Sequence, residues 1–131
     1  MRFVDTSFWV ALRFRRDGRH PDARALWEAG SGALLTTNLV LGETWTFLRR
    51  RAGHQRAVEF VDAAERLPAL TVRQVDAELD VDAWRWLRRR DERTYSYVDA
   101  TSFALMRRLR LREALAFDGD FAAAGFVEVR P

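Results

Sequence analysis

Apolar residues in this chain come in short bursts, separated by longer stretches with the three-to-four residue spacing of amphipathic helices. Phe3-Val4 is a brief apolar strand ending at Asp5, and Thr6 and Ser7 open a helix through about Arg15 that buries Phe8, Leu12 and their neighbours. Asp17-Gly18 reads as a turn. His20-Pro21-Asp22 starts a second helix, with Pro where a first turn tolerates it, running to Gly30. Ala33 to Thr36 is the second strand, and Asn38 is the expected N-cap of a helix carrying Leu39, Val40, Glu43, Phe47 and Leu48 on one side. Ala52-Gly53 breaks that helix and another follows to about Arg66. Leu70 to Val72 is a third strand, and a helix runs from Asp76 to Arg90. A loop from Asp91 to Ser96 leads into a helix from about Val98 to Leu109. Ala114 to Phe117 is a fourth strand, Asp120 to Ala124 a helical turn, and Phe126 to Val129 a last edge strand. Short strands alternating with helices predict a three-layer α/β/α sandwich around a mainly parallel sheet of about five strands, in one domain spanning residues 1–131.

Four carboxylates break this pattern. Asp5, Glu43, Asp99 and Asp118 each lie within an apolar segment or directly at its end. A buried carboxylate is costly unless something pairs with it, and several on one site repel unless a cation holds them. Asp5 and Asp118 fall at the carboxyl ends of predicted strands, where open α/β sheets gather ligands. Glu43 lies along the stripe of Leu39, Val40 and Phe47, and Asp99 shares a stripe with Phe103 and Met106. The four therefore suggest one site for a hard, oxygen-seeking dication, Mg²⁺ or Mn²⁺, able to activate water and orient a phosphodiester. Asp120 is a further candidate ligand. Thr6, Ser7 and Ser96 are candidates to hydrogen-bond a ligand carboxylate or a substrate phosphate. Each residue also has a plain structural role open to it: Asp5 and Asp99 as helix N-caps, Asp118-Gly119-Asp120 as a turn, Glu43 in an ion pair with an Arg. Val4-Asp5-Thr6-Ser7-Phe8 echoes Val98-Asp99-Ala100-Thr101-Ser102-Phe103, both placing Asp beside hydroxyls where a helix opens.

Composition narrows the chemistry further. With 131 residues, 48% of them hydrophobic, the chain is long enough for one substantial core. Cysteine is absent, which excludes disulfides, thiolate metal sites and cysteine nucleophiles. All 22 basic residues are Arg, which excludes a phosphate-binding Walker lysine and Schiff-base chemistry. The arginines cluster at Arg13, Arg15 and Arg16, at Arg49 to Arg51, at Arg88 to Arg90 and from Arg107 to Arg112. Their planar forks suit phosphate, so beside an acidic catalytic centre they favour a nucleic-acid substrate, although each cluster alone reads as a solvated helix face. His20 and His54 lie away from the acids, and the five Trp read as core or interface. No apolar run approaches the ~18–20 residues that span a bilayer, and Asp5 interrupts the N-terminal apolar stretch. A cytoplasmic protein with no membrane association is expected.

Ordered motifs carry a resemblance from Asp5 almost to the C-terminus: Phe3-Val4-Asp5-Thr6-Ser7, Thr37-Asn38-Leu39-Val40-Leu41-Gly42-Glu43, Ser96-Tyr97-Val98-Asp99-Ala100, and Ala116-Phe117-Asp118-Gly119-Asp120-Phe121 before Gly125-Phe126. With these motifs in this order, the chain resembles PIN-domain ribonucleases, and closely the VapC-type toxins of toxin–antitoxin operons. The resemblance implies that Asp5, Glu43, Asp99 and Asp118 form the family's acidic quartet, with Asp5 and Asp99 the firmest ligands. It implies a Mg²⁺- or Mn²⁺-dependent endoribonuclease cutting RNA by water attack on phosphorus, held inactive by a small antitoxin, and usually a homodimer. The family often has Thr where this chain has Ala116, so hydroxyl help at that position is missing.

Two other readings compete. A phosphatase of the haloacid dehalogenase kind needs a second Asp two residues after the first and a Lys; this chain has Ser7 there and no Lys. A non-catalytic RNA- or partner-binding module of the same fold has no use for four buried like charges.

Overall fold

The computed structural model describes all 131 residues. Five strands, β1 (Arg2–Val4), β2 (Leu34–Thr37), β3 (Leu70–Arg73), β4 (Glu113–Leu115) and β5 (Val127–Glu128), form one sheet in the order β3-β2-β1-β4-β5. Every pairing is parallel: Phe3 stands between Leu35 of β2 and Ala114 of β4, and Leu34 lies opposite Leu70 of β3. A parallel neighbour requires a crossover, and the chain supplies seven helices for the purpose. They are α1 (Thr6–Arg13), α2 (His20–Ala29), α3 (Asn38–Arg51), α4 (His54–Arg66), α5 (Ala77–Leu87), α6 (Tyr97–Arg108) and α7 (Asp120–Ala123). The predicted sandwich is the observed one. Helices α1 to α4 pack together, α5 pairs with α6, and α6 reaches α7.

The central strand explains where the core sits. Phe3, Val4, Ala114, Leu115 and Ala116 are fully buried between the helical layers. Aromatic rings fill the space above and below: Phe8 stacks on Phe117 at 5.7 Å, Trp9 meets Phe60 edge-on at 5.5 Å, and Phe103 meets Phe121 edge-on at 4.8 Å. Such pairs add roughly 0.5–1.5 kcal/mol each beyond area burial. Met106 and Leu105 of α6 complete the same core, which fixes the helix that carries Asp99.

Several boundaries differ from the sequence reading. Helix α1 stops at Arg13 because Phe14 turns extended (φ −115°, ψ 102°) to set its ring edge-on against Phe47 at 6.1 Å. Helix α5 stops at Leu87, short of the expected Arg90. Asn38 is not the cap of α3. Thr37 has the extended backbone a cap needs, and its Oγ1 accepts from the Val40 N–H at 3.1 Å. Asn38 instead accepts from the Val75 N–H at 2.8 Å, tying the start of α3 to the segment after β3.

Candidate metal centre

With the order β3-β2-β1-β4-β5, the chain leaves β1 for β2 on one side and later returns to β4 on the other. The loops after β1 and β4 therefore part at the carboxyl edge, and a crevice opens between them, as is general for open parallel sheets. Asp5 directly follows β1. Residues 116–120 follow β4, and the first turn of α6 brings Asp99 to the same edge.

Asp5 is only 2% exposed. It caps α1: its Oδ2 accepts from the Ser7 N–H at 3.1 Å and from the Ser7 hydroxyl at 2.7 Å. The same Ser7 oxygen accepts from the Phe117 N–H at 2.9 Å. One hydroxyl thus sets the position of the β1 acid against the segment that carries Asp118. Burial, then repulsion from Asp118 and more weakly from Asp99, pushes the Asp5 carboxyl up to about 8, against the pull of its Ser7 hydrogen bonds.

Asp99 is held by a reciprocal pair. Its carboxylate accepts from the Ser96 N–H at 3.0 Å while the Ser96 hydroxyl accepts from the Asp99 N–H at 2.9 Å, a capping box at the start of α6. Burial raises the Asp99 carboxyl to about 7; the Ser96 hydrogen bond opposes this, and Asp118 and Asp120 add to it. Asp118 presents much of its surface to solvent, yet desolvation of its carboxyl is the first cause of a raised proton affinity. The Asp120 N–H donated to its Oδ1 at 3.0 Å works the other way, and the charges of Asp120 and Glu128 add to the rise.

Carboxylate oxygens of Asp99, Asp118 and Asp120 lie within 4.8 Å of one another. Metal–oxygen bonds of ~2.1 Å bring such a trio onto one ion. The donors are all hard oxygens, and the carboxyls beside them repel in a poorly solvated setting, a combination that fits a hard divalent cation and not a soft metal. A guanidinium stands close by: Arg93 donates to Asp120 Oδ1 at 2.9 Å and to the Asp118 carbonyl at 3.2 Å. It passes over Gly119, whose φ of +82° suits glycine and where a Cβ would meet Arg93 Nη2 at 3.2 Å.

Glu43 departs from expectation. Helix α3 buries Val40, Thr44 and Leu48, an exact i, i+4, i+8 stripe, and Glu43 lies about 100° round the helix from Thr44. It is exposed, lining a cleft of about 390 Å³ together with Asp5 and Asp118 and not buried toward the sheet. Thr6 grips neither acid: its hydroxyl is buried with no hydrogen-bond partner, in the wall of the same cleft. Ser7 and Ser96 do hold carboxylates. In the echo after Asp99, Thr101 and Ser102 turn away and bond the Val98 carbonyl, so the two similar segments are not equivalent.

Four residues of the site were missed in the sequence. Arg93 is one; Asp17 and Arg19 line the cleft; Glu128 accepts from the Gly119 and Ala122 N–H groups at 3.3 and 3.1 Å, clamping the turn between Asp118 and Asp120. Glu128 gave a signal, an acid between Val127 and Val129 with a side chain 4% exposed. The other three lie in polar loops with nothing to distinguish them.

The family described as "PIN domain" matches residues 2–127. The 23S rRNA-specific endonuclease VapC20, in two strains of Mycobacterium tuberculosis, is 57% identical over 132 residues, covering 100% of this chain and 99% of the relative. A crystal structure of Mycobacterium tuberculosis VapC20, described as a sarcin–ricin loop cleaving toxin, superposes with a TM-score of 0.94 at 55% identity over the full length of both chains. A toxin–antitoxin complex from Klebsiella pneumoniae shares the fold at a TM-score of 0.66 and 16% identity, covering 98% of this chain and 100% of the other.

Proposed function

The chain belongs to the PIN-domain family, and from that premise we propose that it is a metal-dependent endoribonuclease, the toxin of a toxin–antitoxin pair. The observation that carries this is the meeting of Asp99, Asp118 and Asp120 within 4.8 Å beside buried Asp5, at the edge where the sheet divides. Near identity in length and 57% identity to an rRNA-specific endonuclease support the ribosomal sarcin–ricin loop as the RNA that is cut.

Asp5, Asp99, Asp118 and Asp120 would hold a divalent cation, Mg²⁺ or Mn²⁺, which when bound would lower the pKa of a water and offset negative charge on a phosphate. The chain's own residues set the stage. Ser7 and Ser96 hold Asp5 and Asp99 in fixed rotamers, so the two buried acids form the rigid floor. Asp118 and Asp120 form the rim, clamped from below by Glu128. Glu43 lines the same cleft as Asp5 and Asp118, and in this reading would hold a proton or a water beside the scissile phosphate. Arg19, with its guanidinium 5.5 Å from the Phe117 ring, offers a cation to a non-bridging phosphate oxygen.

An antitoxin partner and a homodimer follow from the same family reading, as does a cytoplasmic location beside the ribosome; no helix here is long and apolar enough to cross a membrane. The phosphatase alternative loses ground, because Ser7 stands where a second Asp is needed and its hydroxyl is committed to Asp5 and Phe117. The test is direct. Purified protein with Mg²⁺ should cut a sarcin–ricin stem-loop, EDTA should stop it, and undiminished cutting by Asp99→Asn protein would defeat the assignment.

A further inference from the structure

Two arginine clusters far apart in sequence converge on one cavity. The end of α5 and the turn after it bring Arg85, Arg89 and Arg90; the end of α6 brings Arg107 and Arg108; together with Trp86 they line a space of about 530 Å³ open to solvent. Asp82 is the one acid in its wall. Arg85 and Arg108 share that acid at 3.4 and 3.7 Å, and Arg108 also reaches Asp76 and Glu78 at 3.6 Å. Arg90 has only a distant Glu92 at 3.8 Å, and Arg89 and Arg107 have no ion pair. Yet Arg90 and Arg107 both lay their guanidinium groups on the Trp86 ring, at 5.2 and 5.6 Å from its centre. Burial and the nearby Arg90 charge disfavour the Arg107 cation. Five arginines around one cavity outnumber Asp82 and the distant Glu92, an excess of positive charge that calls for an anion, and guanidinium forks match phosphate.

The catalytic cleft strengthens the case. Its carboxylates outnumber Arg19, Arg93 and the two charges of a bound cation, so the cleft by itself repels a polyanion. Affinity for RNA must come from elsewhere on the surface, since phosphate contacts supply most of it. Arg107 lies eight residues beyond Asp99 on α6, about 12 Å along the helix axis, a reach of roughly three to four nucleotide steps. The other basic cavity, around Arg13, Arg15, Arg16 and Arg56, is partly offset by Glu59 at 3.4 Å from Arg56.

We propose that the cavity between α5 and α6, lined by Arg89 and by Arg90 and Arg107 on Trp86, is a docking site for the phosphodiester backbone of the RNA substrate, remote from the cut bond. The inference takes its ligand from the endoribonuclease reading. Because the Trp86 ring already carries Arg90 and Arg107 and packs edge-to-face with Tyr95 and Phe103, the site grips backbone and does not stack bases.

Binding is measured on an Asp5→Asn background with a synthetic sarcin–ricin stem-loop over a salt series, and cleavage in the otherwise unaltered chain with Mg²⁺. Arg89→Gln/Arg107→Gln should weaken binding at least ~10-fold near 0.1 M salt and lower the slope of log K against log salt by about 1.5–2, two phosphate contacts' worth. KM should rise by a similar factor with kcat at saturating RNA unchanged. Arg107→Lys should keep the slope and lose only part of the affinity, because charge remains and the fork is gone. If the double variant does not melt like its parent, exposed Arg89→Gln alone decides, with an expected slope change of about 1. Unaltered affinity and slope overturn the inference, as does intact RNA binding with lost binding of an oligoglutamate peptide. A parent protein that fails to cut the stem-loop refutes the proposed function, while the binding measurements still decide this site.

Discussion

Replacing Asp5 by Asn should make the metal-free protein more stable while removing its activity. Asp5 is 2% exposed and its carboxyl is pushed up to about 8 from an ordinary 3.8, so near pH 7.5 the unfolded chain ionises it freely and the folded state resists. Each pH unit between the two values is worth about 1.4 kcal/mol, which puts the handicap of the wild-type carboxyl at pH 7.5 near ~5 kcal/mol. Asn keeps the acceptor for the Ser7 N–H and hydroxyl and turns an N–H₂ donor toward the other acids, but still buries an amide, so the net gain is about 2–4 kcal/mol. For 131 residues that is a rise in Tm of roughly 10 °C. The sign is fixed by linkage. A carboxyl whose folded value is raised contributes stability present below its unfolded value and lost as pH climbs through the folded one. The advantage of Asp5→Asn should therefore shrink by about 3 kcal/mol and vanish or slightly reverse at pH 5, where the remaining handicap of about 1.6 kcal/mol is matched by the cost of burying the amide, measured by urea or thermal melts in EDTA. Mg²⁺ should reverse the order by stabilising the wild type alone. A variant less stable than wild type in EDTA at pH 7.5, or an advantage that does not change with pH, refutes the reasoning.

Other outcomes follow from the same geometry. Asp99→Asn should bind the stem-loop with unchanged affinity in a filter or anisotropy assay while its cleavage drops at least ~100-fold. Ser7→Ala removes the hydroxyl shared by Asp5 and the Phe117 N–H and leaves that N–H buried without its partner; a destabilisation of about 1–3 kcal/mol in chemical denaturation, with a lower kcat and little change in KM, is expected. Arg93→Gln frees Asp120 from its guanidinium, so the Mg²⁺ concentration for half-maximal cleavage should fall a few-fold at low salt and converge with wild type at high salt. In wild-type protein without metal, stability should decline between about pH 5 and pH 8 as Asp5 and Asp99 are forced to ionise, visible as a falling Tm.

The fold was readable because its strands are short, parallel and buried on both sides, so each appears as an apolar burst between amphipathic helices; Phe3-Val4 and Ala114-Leu115 are cases. Helix ends were less readable. Thr37 and Asn38 are adjacent residues of capping type, and only the extended backbone at Thr37 and the Val75 N–H beside Asn38 decide which one caps. Asp5 and Asp99 could be found because burial makes a carboxylate anomalous in its pattern. Glu43 was placed at the site but on the wrong face, since a stripe of Leu39, Val40 and Phe47 is nearly as regular in sequence as the Val40, Thr44 and Leu48 stripe that is buried. Arg93 and Arg19 left no trace, because an Arg in a polar loop looks the same whether or not it touches an acid.

The hydrogen bonds to the two buried acids disclose the logic of the centre. Donors from Ser7 and Ser96 favour the ionised carboxylates, while burial and the surrounding acids oppose ionisation and win in the absence of a cation. Were the acids only caps, nothing would be gained by crowding Asp118 and Asp120 onto them, since a capping Asp at an exposed helix start does the same work without repulsion. The donors fix the rotamers, so the carboxyls are already placed for a dication, which would displace their protons and offset the repulsion between the ionised groups. Arg93 cannot do this as well, carrying one charge and reaching Asp120 and the Asp118 carbonyl but neither Asp5 nor Asp99. The cost of ionising Asp5 without metal and its role as a proposed ligand share one cause, its burial among other acids, which is why the stability of Asp5→Asn protein in EDTA and its loss of cleavage are tested together.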